Sequence, residues 1–99
     1  MSDKIEHQGG CACGNVRYKT IGKPEHSAVC HCRYCQLRTG SAFGISVYFT
    51  SVNVELLSGD LKKFEYTTES GNLVATKFCV ESGTSVFWNA DIFKDMTGI

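Results

Sequence analysis

The chain has 99 residues, 10 of them basic and 10 acidic, for a formal net charge of zero at pH 7. That length suits one domain over residues 1–99 with a modest core, and the charge balance gives no electrostatic ground for a nucleic acid or an anionic membrane as partner. No apolar run approaches the roughly 20 residues of a membrane span, and Met1–His7 lack the apolar stretch of a secretory signal, so a cytoplasmic location is expected.

Helix signals are scarce, and strand signals recur at short intervals. Residues 15–20 are expected as a strand with Val16 and Tyr18 on one face. A turn at Gly22-Lys23-Pro24 follows, then a strand over residues 27–31. Residues 35–38 are expected to form a single helical turn. The cleanest alternation runs over residues 43–50, where Phe43, Ile45, Val47 and Phe49 share one face, the pattern of a half-buried strand. A short strand at residues 54–57 leads to the turn Ser58-Gly59-Asp60. Residues 61–67 and 73–79 flank Glu69-Ser70-Gly71-Asn72. Because Gly71 and Asn72 tolerate positive φ, this reads as a hairpin. Residues 85–89 carry Phe87 and Trp88, expected in the core with Phe78, and one more strand is expected near 96–99. About seven short strands joined by turns predict an all-β sandwich, barrel or folded-over sheet.

Six cysteines in so short a chain would suit a secreted disulfide scaffold. Their spacing argues instead for metal. Cys30, Cys32 and Cys35 form C-x-C-x-x-C within six residues, too tight for three separate disulfide partners. Cys11 and Cys13 are too close to cross-link distant parts of a fold. Zinc takes thiolate and imidazole in tetrahedral geometry. Four protein ligands make a structural site, and three leave a position open for chemistry.

Cys11, Cys13 and Cys79 form one group. Cys79-Val80-Glu81-Ser82-Gly83 has the form of a zinc knuckle with serine in place of its second cysteine. Water or a histidine such as His7 could complete that site, or it could stay empty. Cys30, Cys32 and Cys35 form the second group, either an open three-thiolate site or a second structural site closed by another residue. His31 lies between two ligands, and in an extended segment it would point away from them. His7 and His26 lie near turns and read as solvated. Arg38 is a candidate for a substrate carboxylate, which guanidinium pairs bidentately; the plainer reading is an exposed arginine. No phosphate loop, dinucleotide fingerprint or Ser/His/Asp signal occurs.

The stretches Gly9-Gly10-Cys11-Ala12-Cys13-Gly14-Asn15-Val16-Arg17-Tyr18, Gly22-Lys23-Pro24 and Cys30-His31-Cys32-Arg33-Tyr34-Cys35 carry a resemblance. So do Arg38-Thr39-Gly40-Ser41-Ala42-Phe43, Ser58-Gly59-Asp60-Leu61, Ser70-Gly71-Asn72 and Phe78-Cys79. Together they resemble the glutathione-dependent formaldehyde-activating enzymes and the centromere-protein-V-like proteins that share their domain, most strongly over residues 9–88. The resemblance implies a folded β-sheet of the β-tent kind. It implies a catalytic zinc on Cys30, Cys32 and Cys35, and a structural zinc on Cys11, Cys13 and Cys79, so one or two Zn²⁺ per chain. The implied activity adds glutathione to formaldehyde and is classed as carbon–sulfur lyase chemistry.

This chain departs from the family pattern in three places. Ser82 stands where the fourth structural cysteine is usual. Gln36 and Leu37 precede Arg38 where a basic pair is usual. The chain ends soon after Trp88, where further strands are usual, so a shortened sheet is expected. The leading expectation is a zinc enzyme that adds a thiol such as glutathione to a small carbonyl compound. The alternatives are a non-catalytic zinc-stabilised module that binds a partner or pairs as a homodimer, and a redox protein whose Cys30, Cys32 and Cys35 exchange disulfides.

Overall fold

The computed structural model describes residues 5–99. Met1 to Lys4, part of the segment read as lacking a secretory signal, lie outside the described residues. Nine strands follow in chain order: β1 (Glu6–Gly10), β2 (Arg17–Ile21), β3 (His26–Cys30), β4 (Gly44–Thr50), β5 (Val54–Ser58), β6 (Leu61–Thr67), β7 (Leu73–Cys79), β8 (Ser85–Ala90) and β9 (Met96–Gly98). One helix, α1 (Arg33–Thr39), interrupts them between β3 and β4. No helix among the described residues is long and apolar enough to cross a membrane.

All pairings are antiparallel and form two sheets. The small sheet runs β1-β2-β5 and the large one β3-β4-β9-β8-β7-β6. The β6–β7 hairpin has the expected limits, pairing Leu61 with Cys79 through Thr67 with Leu73. Its turn closes through the Thr68 amide on the Asn72 carbonyl at 2.8 Å, with Gly71 at φ 91°.

The core lies between the two sheets. Val16, Cys79, Val86 and Phe87 are buried there, with Tyr18, Val54, Leu61 and Ile99 packed around them. Tyr18 of β2 meets Phe87 of β8 edge-on at 5.2 Å. Burying a side chain such as Phe87 contributes about 1.5–3 kcal/mol. Side chains alternate along a strand, so Trp88, the neighbour of Phe87, faces the opposite side of the large sheet. That side holds a cavity lined by Trp88, Tyr48, Tyr66 and Cys30.

The structure corrects the reading of β4. Phe43 and Ile45 are 39% and 59% exposed, whereas Ser46 and Tyr48 are buried at 8% each. Only Phe49, at the far end, is buried from the apolar set. The strand turns its mixed face inward, and Ser46 and Tyr48 on that face line the cavity. The helix exceeds the expected single turn. Cys32 caps its N-terminus by accepting from the Cys35 amide, and Gly40, left-handed at φ 69°, ends it. Strand β1 was not expected from the sequence, because Glu-His-Gln-Gly-Gly has no apolar alternation. It forms through its pairing with β2, from Glu6 opposite Ile21 to Gly10 opposite Arg17.

Strand β9 joins the halves of the large sheet. Gly98 pairs with Tyr48 of β4 on one side and Trp88 of β8 on the other. A Cβ on Gly98 would collide with the Trp88 indole. Gly98→Ala is therefore expected to destabilise the fold by about 1–3 kcal/mol, the usual cost of overpacking. Urea unfolding followed by Trp88 fluorescence measures this.

Candidate functional site

The sulfurs of Cys11, Cys13 and Cys79 lie within 4.8 Å of one another, and so do those of Cys30, Cys32 and Cys35. All six thiols are free. A tetrahedral zinc with sulfur at about 2.3 Å would space its thiolates about 3.8 Å apart. In the first group Cys11 and Cys13 are 3.4 Å apart, and Cys13 and Cys79 are 3.7 Å apart. Both donor sets therefore fit a soft ion such as zinc.

The first group sits where β1 leaves the small sheet and β7 ends in the large one. Backbone amides orient its sulfurs. The Val16 amide donates to Cys11 Sγ at 3.3 Å, and the Glu81 and Ser82 amides donate to Cys79 Sγ at 3.3 and 3.4 Å. Ser82 stands beside the sulfurs, its Oγ 3.1 Å from Thr84 Oγ1. Its side chain is the foremost cause of a lowered Cys79 thiol, followed by its own amide. The Cys11 thiol is brought down to about 6. Partial burial opposes this, but hydrogen bonds from the Val16 amide and from Cys13, Ser82 and Cys79 outweigh it. His7 lies on β1 opposite Thr20, and the sulfur group does not include it.

The second group sits at the mouth of the cavity. Cys30 ends β3, Cys32 caps α1, and Cys35 lies in the helix's first turn, its amide 3.4 Å from Cys32 Sγ. Gln36 Nε2 ties the loop by donating to the carbonyls of His31 and Ala42, each at 3.2 Å. Burial, then hydrogen bonding within the group, pushes the Cys35 thiol up to about 11, against a lowering influence from Arg38. Cys32 moves down instead. Burial opposes that too, but the Cys35 amide and the sulfurs of Cys30 and Cys35 prevail. His31 points elsewhere, its ring 5.4 Å from that of Phe43.

Arg38 is not an exposed surface group. Its guanidinium lies over the Trp88 ring at 3.9 Å, and its Nη2 is buried with no hydrogen-bond partner. A Cβ on Gly44 would stand 2.5 Å from that Nη2 and 3.2 Å from Cys35 Cβ. The bare backbone at Gly44 thus makes room for the arginine beside the sulfurs.

The cavity has a volume of about 370 Å³. Besides the three cysteines and Arg38, its walls include His26, Tyr34, Tyr48, Tyr66, Trp88 and Phe93. Tyr34 stacks on Tyr66 at 5.5 Å and accepts a hydrogen bond from the Glu69 amide at 2.9 Å. His26 stacks on Phe93 at 5.9 Å. A second cavity of about 330 Å³ adjoins the first across Tyr34, Arg38 and Tyr66, and adds Arg33. His26 is exposed and Trp88 buried, as expected from the sequence; that both line this cavity was not expected. The alternation of β3, which puts His26, Ala28 and Cys30 on one face, was the available signal for the histidine.

A family model described as glutathione-dependent formaldehyde-activating enzyme matches residues 6–99. The match thus runs beyond Trp88 to the last described strand. A solved structure of a Rhodobacter sphaeroides protein is similar with a TM-score of 0.73 and 18% identity, covering 94% of this chain and 83% of that one. At that identity the likeness shows the fold. No curated protein matches the chain.

The thiolate is the reactive form of cysteine. At pH 7 a thiol at about 6 is mostly thiolate and one at about 11 is mostly protonated. In metal-free protein, iodoacetamide should therefore modify Cys11 well before Cys35, which stays protected until the pH nears 11. Peptide mass spectrometry of timed samples reads the order.

Proposed function

The chain belongs to the glutathione-dependent formaldehyde-activating enzyme family, and from that premise we propose that it is a cytoplasmic zinc-dependent carbon–sulfur lyase acting on a thiol and a small carbonyl compound. The whole of residues 1–99 is read as one such domain. Glutathione is the thiol the family points to, and formaldehyde the carbonyl compound. The observation that carries the reading is the open set of three sulfurs at the cavity mouth, with Arg38 beside them.

Cys30, Cys32 and Cys35 would hold the catalytic zinc. Bound there, zinc supplies an open coordination position and keeps a thiol deprotonated at neutral pH. The chain's own groups bind and orient. Arg38 has no acceptor for its buried Nη2 and offers a guanidinium to a substrate carboxylate. Tyr34, Tyr66 and Trp88 line the space beside the sulfurs. Cys11, Cys13 and Cys79 would hold a structural zinc, with the Ser82 hydroxyl close to the Cys79 sulfur.

Zinc analysis with an adduct assay on glutathione and formaldehyde tests this. Native protein should carry up to two zinc per chain. Cys32→Ser should lose one equivalent and bring adduct formation to background. Unchanged zinc and unchanged activity in that variant would refute the assignment.

Ser82 gives a separate expectation. Ser82→Cys should complete a four-thiolate set and slow the transfer of one zinc to a chelator by about tenfold or more, because thiolate is a far better zinc ligand than a neutral hydroxyl. A chelator time course followed by a zinc-sensitive dye measures it.

A second reading, a zinc-stabilised module that pairs with itself, is favoured by one observation. Val29 and Ile45 pair across β3–β4 and are exposed at 57% and 59%, with Phe43 beside them, on the side of these strands away from the cavity. Sedimentation showing only monomer would remove it.

A further inference from the structure

The family reaction places no demand on a large carbonyl compound, yet the cavity beside Cys30, Cys32 and Cys35 measures about 370 Å³. That is on the order of ten times the space of a water-sized molecule, and it falls in the range of sites for drug-sized ligands. Its walls are largely aromatic or apolar. Planar rings favour offset or edge-on partners at about 4.5–7 Å. The walls already pair in that way, Tyr34 with Tyr66 at 5.5 Å and Tyr48 with Phe93 at 4.7 Å.

Charge narrows the choice further. No aspartate or glutamate lines this cavity or its neighbour. The ion pairs among the described residues are Lys19 with Glu6 and Glu55, and Lys63 with Glu65, and none involves Arg38. Arg38 leans on the Cys35 sulfur but has no carboxylate partner, and its Nη2 is unpartnered; a half-buried guanidinium so placed favours a carboxylate. It stands against Cys35, since a single point above Gly44 lies 2.5 Å from Arg38 Nη2 and 3.2 Å from Cys35 Cβ. A carboxylate on Arg38 therefore brings the carbon attached to it next to the sulfurs.

Resting on the enzyme reading above, we propose that the carbonyl substrate is an aromatic 2-oxo acid, with its carboxylate on Arg38, its carbonyl beside the sulfur group and its ring among Tyr48, Tyr66 and Trp88. In the step that follows, the thiol sulfur bonds to the carbonyl carbon and the carbonyl π pair passes to its oxygen. The thiol proton ends on that oxygen, so no oxidant or reductant is consumed. Tyr48, Tyr66 and Trp88 then set specificity, and Arg38 positions the reacting carbon.

Four probes separate the two features of the ligand. Phenylglyoxylate has ring and carboxylate, benzaldehyde the ring alone, glyoxylate the carboxylate alone, and formaldehyde neither. Each is titrated against the zinc-loaded protein by calorimetry and by quenching of Trp88, the single tryptophan. Phenylglyoxylate is expected to bind about tenfold or more tighter than either single-feature probe. Arg38→Gln should bring phenylglyoxylate down to the benzaldehyde level, and Arg38→Lys should restore part of the difference. Ala28→Phe, on the edge strand and lining the cavity, should bring it toward glyoxylate with Arg38 intact. Equal binding of benzaldehyde and phenylglyoxylate, or of glyoxylate and phenylglyoxylate, would overturn the proposal. If phenylglyoxylate binds selectively but no carbonyl compound is consumed with glutathione, the cavity's selectivity stands and the enzyme reading fails.

Discussion

Sulfur atoms brought within a few ångströms of one another repel once they ionise, so something other than packing must fix them. Here backbone amides do so. Val16, Glu81, Ser82 and Cys35 each aim an N–H at a cysteine sulfur. An amide pointed at sulfur stabilises the thiolate over the thiol, so the loops favour the form of these cysteines that could hold a metal. Those amides are in place only because the flanking strands are in register. The first group needs β1 and β2 paired near Gly10 and Arg17, and β7 brought across the sheet. The second needs β3 to end at Cys30 opposite Gly44, so that the helix can fold back over β4.

The two groups serve different mechanical ends. Cys11, Cys13 and Cys79 join the small sheet to the large one and abut the buried core of Val16, Val86 and Phe87. Cys30, Cys32 and Cys35 sit at the other face of the large sheet, away from that core and beside a cavity. A small domain has little apolar area to spend on stability, so a sulfur group that could hold a metal is well placed beside the core. The same shortage explains why aromatic rings are used twice. Phe87 faces the core and Trp88 the cavity, one residue apart on a strand with both faces covered.

What the sequence made legible follows the range of the interactions. The β6–β7 hairpin was readable to the residue, because a local turn with Gly71 sets its register. Cys30, Cys32 and Cys35 were readable from spacing, since C-x-C-x-x-C folds back within one turn, whereas the meeting of Cys79 with Cys11 and Cys13 rested on the knuckle form around Cys79 and on the family resemblance. Strand β1 was not, because its partner dictates it and its own residues do not alternate. The buried face of β4 was misread for a related reason. A cavity wall carries serine and tyrosine inward, so the apolar residues Phe43 and Ile45 are left outside. The burial of Arg38 against Trp88 joins residues 50 positions apart, and nothing near either residue announces it. The walls of the cavity come from β3, β4, β6, β7, β8 and α1 together, so no single stretch could show it.

The position of β9 has a consequence for how the molecule is assembled. Strands β4 and β8 are not neighbours, and β9 lies between them. It is the last of the nine strands in chain order. Until residues 96–98 are available, β3–β4 with its sulfur group and β6–β8 with the Trp88 wall have no shared ladder. Each half can form early through its own local pairings, but closing the large sheet waits on β9. Non-local closure of this kind is slow relative to hairpin formation. During synthesis the chain would therefore wait as two separate half-sheets, with the edges of β4 and β8 unpaired, the state in which strands are most open to wrong partners.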